Sequence, residues 1–367
     1  MIKTVVAGLG KRGEIHLSAL LRNAAHFQVV GIYDPYEPTL QKISQKYGLQ
    51  CVFHDLDDML QATKPDLFVF VTHPDIRLEI VKKAAAYHIK AISLEKPLAT
   101  SLKEAKEIAS LCEAHHIKAI VCHQHKYLEQ MLTLDRYIRI GAIGEIEKIH
   151  ATTQAWTSQL GTHYMDYALW AARGARALWC TGHIHGRAKL SDNHPSPDYL
   201  LGKVMLDTGI PVYIENGYLS PAHLTEEKFW FDDRITVYGS KGYVWCDSDN
   251  CCCLLSEATN GKVQKEVFPF FKEQEENMQR MYYADLAEWI YDDTKVHPCN
   301  IEISYHGLEI LTGIYLSALD HTRVDIPLRE PQKLDMDFRL YNELPAVDYT
   351  GRLQDLPFFR ISTQKSR

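Results

Sequence analysis

The stretch VVAGLGKRGEIHL, residues 5–17, decides the fold. A β-branched run from Ile2 to Ala7 reads as a short strand. Three glycines follow at Gly8, Gly10 and Gly13, and then EIHLSALLRNA has the period of a helix. A GxGxxG pattern alone is a weak signal. Here it lies between a strand and a helix, and Asp34 ends the next strand 21 residues beyond Gly13. In that context the pattern is a dinucleotide-binding fingerprint. Gly8 serves the tight turn, Gly10 lets backbone amides approach a pyrophosphate, and Gly13 allows close helix–strand packing. The loop Gly8-Leu9-Gly10-Lys11-Arg12-Gly13 is therefore expected to hold the cofactor, the helix N-terminus adding donors and partial positive charge. Asp34 would accept hydrogen bonds from ribose hydroxyls and repel a 2′-phosphate. No Arg or Lys follows it in DPYEP, so NAD is expected over NADP, with Lys11 and Arg12 keeping NADP as the minority option.

Outward from this stretch, strands and helices alternate through QVVGIYD, EPTLQKISQKYG, CVFHD, LDDMLQAT, DLFVFVT, DIRLEIVKKAAAYH, KAISLE and KAIVC. DLFVFVT is a continuous apolar run, as in a parallel strand buried on both faces. Ser101 and Glu104 read as a capping box for the helix after KAISLE. The alternation predicts a doubly wound parallel sheet over residues 1–123. From residue 124 the pattern changes to the helices KYLEQMLTLDRYIRI and THYMDYALWAAR followed by strands such as YLLGKVML, PVYIENGYL, RITVYG and YVWCD. This predicts an α+β domain over 124–330 with a large, mostly antiparallel open sheet, closed by helices near 274–292 and 301–320. Residues 331–367 are expected to be a C-terminal arm.

Composition narrows the function classes. Hydrophobic residues at 46% and charged residues at 24% fit a soluble globular chain, and a net charge of −7 argues against nucleic-acid or anionic-membrane partners. No apolar run approaches the ~20 residues of a spanning helix, and the start lacks the features of a signal peptide. Nine cysteines include no CxxC, so reduced core cysteines in a cytoplasmic protein are expected. His183 and His185 alternate onto one strand face without a third ligand, and no metal is expected.

With GLGKRGEIHLSAL (8–20), VTHPDIRLEI (71–80), LEKPLA (94–99) and GTHYMDYALW (161–170) in order, the chain resembles the glucose–fructose oxidoreductase, inositol dehydrogenase and MocA (Gfo/Idh/MocA) family. The resemblance covers most of residues 1–175 by motif and extends to RITVYGSKGYV (234–244). It implies an NAD(P)-dependent dehydrogenase of sugars or cyclitols, with a Rossmann domain and an open sheet used in dimers or tetramers. The family lysine beside the nicotinamide and the reacting hydroxyl carries over to Lys96, and the GxHxxD helix maps onto Gly161, His163 and Asp166. The chain departs from the pattern twice. Gln159 stands where members often carry Asp, and Arg77 stands where the TPNxxH segment carries His.

The residues support this chemistry independently. Ligands of open α/β sheets bind outside the carboxyl ends of the strands, which is where Thr72, His73, Glu95 and Lys96 fall. Oxidising a secondary alcohol requires a proton acceptor, and His163, with an ordinary pKa near 6.5, is suited to it. Asp166, three residues on, shares its face and can hold the imidazole or bind substrate. Lys96 can stabilise developing alkoxide charge. His123, Lys126, Tyr127 and Gln159 complete the candidate substrate set, although Lys126 and Tyr127 may equally begin a helix. The expected function is NAD-dependent oxidation of a secondary hydroxyl on a sugar, glycoside or inositol-like polyol. A redox-assisted glycosidase or glycoside 3-oxidase, or a non-catalytic NAD-binding sensor, are the alternatives. A homodimer or homotetramer is expected because a broad open sheet needs covering.

Overall fold

Ile2–Ala7 (β1), Phe27–Tyr33 (β2), Val52–Phe53 (β3), Leu67–Phe70 (β4), Ala91–Leu94 (β5) and Lys118–Val121 (β6) form one six-stranded sheet in the order β3-β2-β1-β4-β5-β6. Every pairing in it is parallel. The computed structural model describes residues 1–186, 196–223, 232–247, 250–329, 339–340 and 343–344. The strands are joined by Lys11–Arg22 (α1), Glu37–Tyr47 (α2), Leu56–Thr63 (α3), Arg77–Ala86 (α4) and Leu102–Ala114 (α5). All four residues of β4 and of β5 are buried, as strands covered on both faces require. The strand order reverses direction between β1 and β4, so the loops after these two strands diverge and leave a crevice at the carboxyl edge.

Local chemistry sets the helix ends. Gly48 closes α2 in the left-handed conformation at φ 65°. Ser101 accepts from the Glu104 amide at the start of α5, the expected half of the capping box. The other half is replaced, for Glu104 Oε2 accepts from the Thr100 hydroxyl at 3.2 Å.

The second sheet has nine strands. They are Ile146–Thr153 (β7), Ala177–His185 (β8), Tyr199–Leu206 (β9), Pro211–Gly217 (β10), Asp233–Gly239 (β11), Gly242–Asp247 (β12), Cys251–Ser256 (β13), Gln264–Val267 (β14) and Val324–Asp325 (β15). Their order is β14-β13-β12-β11-β7-β10-β9-β8-β15, antiparallel except where β10 pairs with β7. One face buries Ile149, Ala151, Val212, Ile214, Ile235, Val237 and Val244. Glu129–Arg139 (α6), Thr162–Ala171 (α7) and Ile301–Asp320 (α9) supply the helices of this unit. Gly182 and Gly202 pair across β8 and β9, and a Cβ on either would lie within 2.5 Å of the Ile314 side chain of α9. The two glycines form the groove that seats this isoleucine, whose burial contributes about 2 kcal/mol.

The chain divides into two compact units, Met1–Tyr127 with Lys272–Tyr305, and Leu128–Phe271 with His306–Arg367. The first unit thus extends past the expected boundary at 123 to residue 127 and takes in 272–305 as well. Most of the helix Phe271–Tyr291 (α8) belongs with the first unit, because Tyr282, Tyr283, Leu286 and Ala287 are buried there and Asn23 of α1 donates to Arg280 O. The expected C-terminal arm lies outside the described residues apart from 339–340 and 343–344. All nine cysteines are unbonded and eight are buried. Burial pushes the Cys112 and Cys180 thiols up to about 12, so they remain protonated. Among the described residues no helix is long and apolar enough to cross a membrane.

Candidate active site

At the carboxyl edge of the first sheet, the loop after β1 has the geometry that the three glycines imply. Gly8 adopts φ +81°, and a Cβ there would lie 2.2 Å from Val71 O. A Cβ on Gly13 would lie 1.8 Å from Gly8 O, whereas one on Gly10 would have no atom within 4 Å. The first and third positions thus close the turn against backbone. The second leaves its amide side open, as the approach of a pyrophosphate demands. Asp34 stands next to this loop, its carboxylate accepting from Leu9 N at 2.6 Å and Tyr36 N at 2.9 Å. Each oxygen keeps lone-pair capacity for a ribose hydroxyl. These residues fit a dinucleotide.

Beyond the loop the edge is strongly charged. Glu95, directly after β5, is buried and accepts from Arg12 Nε at 3.1 Å, with His16 Nε2 at 2.9 Å. Arg12 also pairs with Glu275 of α8 at 3.2 Å, and His16 Nδ1 lies 2.5 Å from the Tyr283 hydroxyl. Burial alone would raise the Glu95 pKa. Arg12 and His16 outweigh it and hold this carboxyl well below the ordinary range. Burial lowers the Lys96 pKa, Arg12 and Arg77 add to that effect, and Glu95 opposes it. The Lys96–Pro97 peptide is cis. His16, Glu95 and Cys122 offer three ligand atoms within 4.8 Å of one another. However, the Arg12 guanidinium reaches Glu95 and lies 3.7 Å from the Cys122 sulfur, so a cation there would meet a fixed positive charge.

In the second unit, Thr157–Gly161 forms a π-helical turn immediately before α7 and carries Gln159. Such turns recur at functional sites. Gly161 fits because Asn216 Nδ2 would lie 2.4 Å from any Cβ at that position. His163 and Asp166 are both buried on α7. The His163 Nδ1 is 2.7 Å from the Tyr167 hydroxyl, one turn further along the helix. The Tyr167 hydroxyl thus lies against this ring nitrogen.

Residues 2–123 match the oxidoreductase family with an NAD-binding Rossmann fold, Gfo/Idh/MocA. Those residues carry this family's NAD-binding domain. Inositol 2-dehydrogenase of Rhizobium meliloti (strain 1021) is 21% identical over 278 residues, 72% of this chain and 81% of that protein. Several other curated relatives match over only 37–42% of their own length. Among solved structures, an NAD binding oxidoreductase from Klebsiella pneumoniae superposes with a TM-score of 0.75 at 16% identity, covering 89% of this chain and 99% of that one. The transcriptional regulator Gal80p from Kluyveromyces lactis gives 0.73 at 17%, covering 88% and 94%. At these identities the likeness of the structures establishes the fold.

The family match covers the dinucleotide loop and the strand ends of the first sheet. The loops carrying Gly8 to Gly13, Asp34, Thr72, His73, Glu95 and Lys96 all leave the carboxyl ends of parallel strands, as the alternation required. Two of the candidate substrate residues have partners within the first unit. Lys126 is buried and donates to Pro298 O at 2.6 Å, and the Tyr127 hydroxyl donates to Asp285 at 2.7 Å. Both tie the loop after β6 to the returning segment of the first unit. His123 is buried, with Ser304 Oγ 3.3 Å from its Nδ1.

His125 lies just past the sixth strand, and its pKa is lowered to about 3 by burial, with Arg12 and Lys96 adding to the effect. Glu275, Gln279 and Tyr283 carried no signal in the sequence, being brought to the edge by α8.

Proposed function

We propose that this protein oxidises a secondary hydroxyl of a sugar, glycoside or inositol-like polyol with NAD. The observation that supports the reading most is the neighbourhood of Lys96. It is a half-buried amine at the carboxyl edge of a dinucleotide fold, balanced by the held carboxylate of Glu95 and bordered by the neutral ring of His125. NAD, when bound, supplies the hydride acceptor. The protein supplies the rest. Lys96 donates to the hydroxyl oxygen and stabilises its developing negative charge. His163 takes the proton, and the Tyr167 hydroxyl fixes its ring orientation from the far nitrogen. Asp166 and Gln159 bind substrate in this reading. With an amide at Gln159, the imidazole is the group on α7 and the preceding turn that accepts the proton.

Inositol 2-dehydrogenase among the relatives supports a cyclitol or sugar as the substrate class. A second copy of the chain is the proposed partner. The sheet face opposite the helices carries half-buried Tyr213, Trp245, Lys148 and Trp179, an amphipathic surface suited to symmetric pairing.

The test is a panel of cyclitols, aldoses and glycosides with NAD or NADP, followed by absorbance of the reduced cofactor and by mass spectrometry of products. Reduced NAD with at least one polyol supports the reading. Released aglycone without net reduced cofactor would establish redox-assisted glycoside cleavage instead. Tight NAD binding with no turnover across the panel would make the protein a sensor.

A further inference from the structure

We propose that Arg77 is a positioning residue for Lys96, its guanidinium tying the loop after β4 to the loop after β5 and fixing the backbone that carries the ammonium. The inference rests on the role given to Lys96 above. Arg77 is the first residue of α4, and helical side chains lean toward the N-terminus, which carries this one back across the strand ends. It is 1% exposed. One terminal nitrogen donates to Thr72 O at 2.9 Å and to Lys96 O at 3.5 Å, and the other donates to Pro97 O. The carbonyls bound are therefore one from the β4 loop, that of Lys96 itself and that of the residue following it.

Among the described residues, no carboxylate forms an ion pair with Arg77. Glu95, Glu104 and Asp75 act on it only through space. Burying an unpaired guanidinium costs several kcal/mol, and an apolar residue of similar volume would fill the same space without that penalty. Burial lowers its pKa to about 10, still protonated at neutral pH. The charged or titratable groups facing Lys96 are Glu95, Arg12, Cys122, Arg77 and His125. Arg12 and Arg77 disfavour the ammonium and Glu95 favours it. Arg77 thus has two effects on Lys96, a backbone tether and a like charge.

The experiment compares full-length wild type, Arg77→Met and Arg77→Lys with NAD bound. The first readout is kcat and KM for the best polyol of the panel. The second needs no substrate: the pH dependence of Lys96 labelling by pyridoxal phosphate and borohydride, quantified by peptide mass spectrometry. Arg77→Met should lower kcat about 100-fold with KM within about threefold, the scale of a misplaced catalytic group, and added guanidinium ion should recover about tenfold. Its labelling midpoint should move to higher pH, because a positive neighbour is gone. Arg77→Lys keeps the charge but loses the two-pronged tether, so its midpoint should stay near wild type while kcat falls between the other two.

A folded Arg77→Met variant with kcat within threefold and an unchanged midpoint would overturn the inference. Should Arg77→Met fail to fold, Arg77→Lys with wild-type kcat would overturn it, and a lowered kcat at an unchanged midpoint would support it. If the wild type turns over nothing, the dehydrogenase reading fails. The labelling midpoint of Arg77→Met then decides the inference alone, a rise supporting it and no change overturning it.

Discussion

The glycines around α1 and the glycine before α7 stand in different surroundings. At Gly8 and Gly13 an added Cβ would strike backbone oxygens at 2.2 and 1.8 Å, and at Gly161 it would strike the amide of the Asn216 side chain at 2.4 Å. A backbone atom cannot yield without moving the strand or helix that holds it, whereas a side chain can be replaced. The nucleotide end is thus shaped by backbone, and the α7 end by a side chain. This difference explains why the family is readable from a short stretch of sequence while the substrate is not.

Substitutions at these positions should break that contrast or sharpen it. The largest effect is expected from Gly13→Ala, where no rotamer relieves the collision. It should cost about 4 kcal/mol or more in a denaturant titration and abolish NAD binding in calorimetry. Glu95→Gln comes next, for it leaves Arg12 without its inner carboxylate and should cost about 3 kcal/mol, read as a shift in urea midpoint at constant slope. Gly161→Ala should cost only about 1–2 kcal/mol and leave NAD affinity unchanged while raising KM. If Gly161→Ala proves as damaging to NAD binding as Gly13→Ala, the contrast is broken.

The effect that is smallest at neutral pH appears on acidification. The pKa of His125 is lowered to about 3 in the folded protein, against an ordinary value near 6.5. The unfolded chain therefore takes up this proton first as pH falls. The stability contributed is fully present above about pH 6.5 and is lost progressively down to pH 3, at about 1.4 kcal/mol per pH unit. His125→Asn should flatten that slope, and the ring should show no titration above pH 5 by NMR.

The sequence revealed the first sheet well because its information is local. A strand, a glycine loop and a helix within twenty residues, repeated in alternation, leave one economical topology. Lys96 was legible for the same reason, since β5 ends where it begins. The partners of Glu95 were not. Arg12 reads as a loop cation and His16 as a helix residue, and only the folded chain brings both onto one carboxylate. Tyr283 and Glu275 lie more than 180 residues beyond Glu95 or close to it, on a helix whose apolar period says that it packs but not on what. Lys126 read equally as a site residue or as the start of a helix, and its ammonium donates to the Pro298 carbonyl. Arg77 was visible as a departure from the family pattern, but its carbonyl partners were not.

The central claim is that Lys96 acts on a substrate hydroxyl beside bound NAD. The most direct measurement is the turnover of Lys96→Ala on the best substrate of the panel, with NAD affinity measured on the same preparation. The expected result is a loss of kcat of at least about a thousandfold with NAD binding retained within a few-fold. Turnover of Lys96→Ala close to wild type would contradict the assignment.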